Sequence, residues 1–138
     1  MMKLSLNPNI DPSKVNILVV DDIPLNVLLV KKMLQPLGFS TEEAEDGVVA
    51  MEMISREKPD LILLDLMMPR MNGFEVLRRL RADEATKSIP VIILSALNSN
   101  DDVAKGIAMG AEDYITKPII MERLQNSVIE QVNKLFNS

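Results

Sequence analysis

Cysteine, histidine and tryptophan are absent from the 138 residues, and aromatic side chains make up only 3%. Without cysteine there is no disulfide scaffold, zinc–thiolate site, iron–sulfur cluster or thiol nucleophile. Without histidine the commonest general base is missing, and triads of the Ser-His-Asp kind are excluded. Long apolar runs are also lacking: the unbroken stretches reach about four residues, against roughly 20 for a membrane-spanning helix. The N-terminal MMKLSLNPNIDPSK has no continuous apolar segment of the signal-peptide type. Basic residues are outnumbered, 15 to 20, for a net charge of -5, which argues against direct nucleic-acid binding, since duplex affinity rests on Lys and Arg meeting phosphates. What remains is a chain 47% hydrophobic, long enough to bury one core without covalent staples. A cytoplasmic domain that neither enters membranes nor binds nucleic acid is the expectation.

Residues 1–14, rich in Asn, Pro, Ser and Asp, show no periodicity and read as a flexible N-terminal arm; residues 15–138 read as one domain. Three unbroken apolar runs, Ile17–Val20, Leu61–Leu64 and Val91–Leu94, have the pattern of strands buried on both faces of a parallel sheet. Weaker strands are expected near Ser40–Ala44 and Asp113–Ile115, at the sheet's edges. Helical spacing falls between them. Val30, Met33, Leu34 and Leu37 share a face before Gly38; Val49, Ala50, Met53 and Ile54 follow Asp46-Gly47. From Phe74, Val76, Leu77 and Leu80 point inward while Arg78, Arg79 and Arg81 point to solvent. A fourth helix covers about Asn100–Met109, and Leu124, Val128, Val132 and Leu135 mark the last. The order is βα five times. Right-handed crossovers then predict an α/β, doubly wound, five-stranded parallel sheet with helices on both faces.

Ligands in such sheets bind beyond the carboxyl ends of the strands. There the sequence places Asp21-Asp22, Asp65, Ser95-Ala96 and, after the fifth strand, Lys117-Pro118. Taken singly, Asp21 and Asp22 suit a helix cap before Pro24, Asp65 a loop, Ser95 a cap and Lys117 a solvated surface. Together they converge on one rim. Like charges about 4 Å apart repel by about 4 kcal/mol at an effective dielectric near 20, so clustered carboxylates call for a cation. Oxygen-only ligands suit a hard ion, and few carboxylates with open positions suit Mg²⁺. A hard cation, a free carboxylate, a hydroxyl and an ammonium are equipment for phosphoryl transfer.

Val-Val-Asp21-Asp22, Leu-Leu-Asp65-Leu-Met-Met-Pro69 with Asn72-Gly73, Ser95-Ala96, and Asp113-Tyr114 with Lys117-Pro118 resemble, in order, the motifs of the receiver domain of two-component response regulators. The likeness covers about residues 15–136 and implies a flavodoxin-like fold related to that of the chemotaxis regulators. Asp21 to Asn26 is similar to the receivers of hybrid histidine kinases and phosphorelays. The resemblance implies that Asp65 accepts a phosphoryl group from a partner's phosphohistidine. It also implies that Asp22, Asp65 and the backbone carbonyl of Met67 hold Mg²⁺ directly and Asp21 through water. Lys117 and Ser95 would contact phosphoryl oxygens, Tyr114 would turn inward as Ser95 moves, and Lys117-Pro118 would be cis. The donor would be a histidine kinase or a histidine phosphotransfer protein, or else a small acyl phosphate, because this chain has no histidine of its own. Such a domain is a switch and not an enzyme, catalysing only its own phosphorylation and dephosphorylation.

Met67 and Leu97, two residues past Asp65 and Ser95, cannot orient an attacking water, so a long-lived phosphoryl group is expected. The roughly twenty residues after Pro118 make one helix, so action through another protein is expected, by the surface of the fourth and fifth helices, with dimerisation a further route. Other readings fare worse. Met67, Met68 and Met71 lack Cys or His partners for Cu(I), Asp21-Asp22 would repel a flavin phosphate, and no P-loop occurs. An Asp-x-Asp phosphohydrolase needs an acid where Met67 stands. The rival is a receiver-shaped docking module that is never phosphorylated.

Overall fold

A computed structural model describes residues 4–136. Five parallel strands form one sheet: β1 (Asn16–Val20), β2 (Ser40–Ala44), β3 (Leu61–Leu64), β4 (Val91–Ser95) and β5 (Asp113–Thr116), in the order β2-β1-β3-β4-β5. Each of the first four is followed by a helix that returns the chain to the sheet's other end: α1 (Pro24–Leu34), α2 (Gly47–Arg56), α3 (Gly73–Ala82) and α4 (Asn100–Ala108). The last helix, α5 (Met121–Phe136), closes the order. The two strands expected at the edges are at the edges, and the three unbroken apolar runs are the inner ones.

Alternation sends each inner strand's side chains to two cores. Leu18, Val20, Ile62, Leu64, Val91 and Ile93 meet Ala50 and Ile54 of α2 and Val76, Leu77 and Leu80 of α3. On the other face Ile17, Val19, Leu61, Leu63, Ile92 and Leu94 meet Val27, Val30 and Leu34 of α1 and Leu124, Val128 and Val132 of α5. Side-chain caps start three helices, each accepting a backbone N–H: Asp46 from Val49, Asn72 from Glu75 and Ser99 from Asp102. Ser99, not Ser95, therefore caps α4. After Leu34 a short 3-10 turn carries the chain to Gly38, whose φ of +83° ends the segment in the left-handed conformation glycine tolerates.

Three expectations need correction. Residues 4–14 are not a loose arm. The Leu4 N–H donates to Asn126 Oδ1 (3.0 Å) and the Asn7 N–H to Asn133 Oδ1 (2.8 Å), while Asn133 Nδ2 donates to the Ser5 carbonyl (3.1 Å). Leu6 packs on the α1/α5 core and Ile10 enters it. Residues 1–3 of the expected arm lie outside the described residues. This strap leaves Glu130 as the one exposed residue of α5 between Leu124 and Val132. Arg81, expected in solvent, turns inward and donates to the carbonyls of Gly110 and Ile89 and to Glu112. Leu135 lies past the end of the sheet's cover and is 37% exposed.

The strap makes a specific demand on α5. Asn133→Ala removes two hydrogen bonds to it and is expected to cost about 1–2 kcal/mol, measured by urea unfolding. In a chain shortened to begin at Ile10 the same substitution should cost almost nothing; an equal cost in both chains would contradict the strap.

Candidate functional site

Parallel register assembles the rim. Val20 pairs with Leu64 as the last ladder step of β1 and β3, and the bonding continues one residue further: the Asp65 N–H donates to the Val20 carbonyl at 2.9 Å and the Asp21 N–H to Ala44 at 3.1 Å. Ser95 pairs with Thr116, and the Lys117 N–H donates to the Ser95 carbonyl at 2.8 Å. Asp21, Asp65, Ser95 and Lys117 thus leave the sheet at the same level. The carboxylates of Asp21, Asp22 and Asp65 offer oxygens that all lie within 4.8 Å of one another. Lys117 Nζ stands 3.1 Å from Asp21 Oδ2 and 3.6 Å from Asp65 Oδ2. All the expected side chains except Tyr114 sit directly on this rim.

Charge balance is incomplete. At an effective dielectric near 20, two carboxylates within this distance repel by at least about 3 kcal/mol, and a single ammonium serves Asp21 and Asp65 only. Asp22 has no ion pair among the described residues, and its Oδ1 is a buried oxygen with no hydrogen-bond partner. Burial pushes the Asp65 carboxyl above its ordinary value; nearby Lys117 pulls it back and Asp21 pushes it up again. An orphaned oxygen beside two further carboxylates, in a chain without cysteine or histidine, fits a hard divalent cation.

The loop after Asp65 is held from both sides. Its Met67 N–H meets Asp65 Oδ1 at 3.3 Å, and a Cβ on Gly73 would come within 2.3 Å of the Asp65 carbonyl, so only glycine allows this approach. Arg70 takes a φ of +64°, the one positive value outside glycine among the described residues, a conformation costing about 1–2 kcal/mol. Its Nε and Nη2 reach Asp46 Oδ2 at 2.9 and 2.6 Å, and the same Asp46 caps α2. The Val49 N–H, with Arg70 beside it, holds the Asp46 carboxyl below its ordinary value. This latch between the loop and α2 escaped sequence reasoning, which saw only a turn at Asp46-Gly47; no motif marks Arg70.

Ser95 is fully buried, and its Oγ accepts the Leu97 N–H at 3.2 Å. Tyr114 lies inside with its hydroxyl donating to the Leu97 carbonyl at 2.6 Å. Burial raises its phenol above the ordinary value, while the Ser95 hydroxyl works the other way. Space for the ring comes from Gly106 of α4, where a Cβ would stand 2.8 Å from Ile93 Cδ1 and 3.0 Å from the ring. A lone glycine inside a helical stretch was the available signal. Met67, Met68, Phe74 and Leu97 line an open groove of about 470 Å³ beside Asp22. The Lys117–Pro118 bond is cis.

The profile of the response regulator receiver domain matches residues 17–129. The chain belongs to this family. It is 47% identical over 103 residues to the response regulator PleD of Caulobacter vibrioides, a match covering 75% of this chain and 23% of PleD. To protein PilH of Pseudomonas aeruginosa it is 38% identical over 112 residues, 81% of this chain and 93% of PilH. It also resembles the receiver domain of a signal transduction histidine kinase from Syntrophus aciditrophicus. There the TM-score is 0.78 and the identity 32%, over 89% of this chain and 92% of that one. The chain thus spans about a quarter of PleD but nearly all of PilH. Receivers are phosphorylation-dependent signalling switches, not typical enzymes; histidine kinases or phosphotransfer proteins phosphorylate them, and they bind Mg²⁺ at an acidic pocket. Among the described residues of this receiver, no helix is long and apolar enough to cross a membrane.

The electrostatics carry a sign that can be checked. A carboxyl raised on folding weakens the native state once it ionises. The penalty is absent below the ordinary carboxylate range and complete above the raised value. Asp65→Asn should therefore raise the melting temperature of the metal-free receiver at pH 7, with the gain shrinking toward pH 4. An unchanged or lower melting temperature at pH 7 would contradict this.

Proposed function

We propose that this receiver takes a phosphoryl group onto Asp65 from a phosphohistidine on a histidine kinase or histidine phosphotransfer protein, with Mg²⁺ at Asp22, Asp65 and the Met67 carbonyl. Asp21 contributes through water. The observation that carries the reading is the orphaned Asp22 oxygen inside a three-carboxylate cluster that one lysine cannot neutralise. When bound, the ion supplies the positive charge that lets an anionic phosphoryl group approach two further anions.

The chain's own residues do the rest. Asp65, whose charged form burial disfavours and the nearby Lys117 ammonium favours, attacks phosphorus through one carboxylate oxygen. A P–O bond forms as the donor's P–N bond breaks, and the imidazole leaves with its electron pair. Lys117 then turns from the carboxylates to a phosphoryl oxygen. The Ser95 hydroxyl donates to another, loosening its hold on the Leu97 N–H and so on the loop to which Tyr114 is bonded. The switch surface is accordingly α4 and the loop from Leu97 to Ser99, since the N-terminal strap already occupies much of α5. The target is a protein rather than a nucleic acid, in keeping with the net charge of -5, and the setting is cytoplasmic.

Incubation with Mg²⁺ and a small acyl phosphate should add one phosphate by intact mass, and Asp65→Asn should abolish it. No addition to the wild type, or undiminished addition to the variant, would favour the docking-module reading. Met67 is 58% exposed over the site, and with Leu97 it lines the groove where an attacking water would stand. The doubly substituted Met67→Asn, Leu97→Glu receiver should lose its phosphate at least about tenfold faster, worth roughly 1.4 kcal/mol in barrier. Equal Mg²⁺-dependent decay in the two proteins would refute the link between these side chains and phosphoryl lifetime.

A further inference from the structure

Behind the phosphoacceptor, on the α1/α5 side of the sheet, lies a cavity of about 240 Å³ that none of the chemistry above uses. Its floor is Val19, Leu63 and Leu94, all buried, and one wall is Leu29, Val30 and Met33 of α1. The roof is polar: Asp21, Asp65 and Lys117, tied together by the ion pairs already described. The Asn26 side chain stands on the α1 side, and the Lys117–Ile119 segment on the other. Gln125 of α5 donates to the Met33 carbonyl at 2.8 Å and so pins α1 to α5 beside this wall.

Each property narrows the occupant. A water molecule inside needs two to four polar partners and finds them only against the roof and Asn26, the floor and the rest of the α1 wall being apolar. A cavity of about 150 Å³ lined by aliphatic side chains holds benzene, whereas drug-sized ligands need roughly 300–1,000 Å³. A phosphate or other multiply charged anion is repelled by Asp21 and Asp65, and a cation is drawn to the three-carboxylate cluster at Asp22, which lies outside this lining. We propose that this cavity binds a compact, uncharged, mostly apolar molecule of benzene-to-indole size, with at most one polar group, facing Asn26. Because Lys117 and Asp21 form its roof, an occupant bears on the same ammonium that the phosphoryl site requires, so its presence is felt there.

This goes beyond phosphoryl transfer, and binding is measured without any donor, so the two readings can fail separately. Methyl-resolved nuclear magnetic resonance of the full chain titrated with indole should show saturable shifts at Val19, Val30, Leu63 and Leu94, with the Lys117 side-chain signals moving at the same midpoint. Val30→Phe, which fills the cavity, should weaken the affinity at least tenfold. Leu29→Trp, at a half-exposed position that tolerates a larger side chain, should narrow the mouth and weaken it too. No saturable shift up to the solubility limit of indole, or undiminished binding in both variants, would overturn the site. Lining shifts without any movement at Lys117 would overturn the coupling.

Discussion

The Lys117 ammonium, lying between two buried carboxylates, is the contact on which the rim depends. Like-charged side chains do not gather unless the backbone forces them to, and here parallel pairing does so: each strand ends at the level where its neighbour ends, and its last or next residue carries a charge or a hydroxyl. The apolar cores on either face fix that register, because a slip of one residue would exchange the side chains of one core with those of the other. Lys117 offsets the repulsion between Asp21 and Asp65 and leaves Asp22 unmatched. That residual imbalance is what a bound cation would neutralise in the proposed function.

Around this rim the structure restrains the segments that would otherwise be loose. Gly73 lets α3 approach the backbone of Asp65, and Arg70 accepts an unfavourable φ while binding Asp46. Gly106 gives up helix propensity, about 1 kcal/mol against alanine, and makes room for Tyr114. The apolar Met67 and Leu97 line the mouth from two loops, and the Ser95 hydroxyl and the inward Tyr114 both bond to Leu97. The N-terminal strap covers α5 on the far side, which concentrates the free surface near α4.

The inner strands were legible because four consecutive apolar residues can be satisfied only between two covered faces, and the edge strands because theirs are mixed. The site was legible for a related reason: strand ends can be read from where the apolar runs stop, so Asp21, Asp65, Ser95 and Lys117 fall on one rim once the sheet is parallel. What stayed hidden depends on contacts far apart in sequence. The Asn-rich N-terminus looks solvated until Asn126 and Asn133, more than a hundred residues away, are seen to bond its backbone. Arg81 has the helical phase of a surface residue, yet its length lets it reach the Gly110 carbonyl. Arg70 carries no local mark of the latch it makes.

In the proposed function the three carboxylates form one cation site completed by Asp22. Calorimetric titration of the receiver with Mg²⁺ tests it most directly, before any phosphoryl donor is present. One ion per chain, with binding lost in Asp22→Asn while the fold is retained, is the predicted result. Absence of saturable binding, or an Asp22→Asn protein that binds Mg²⁺ as tightly as the wild type, would contradict it.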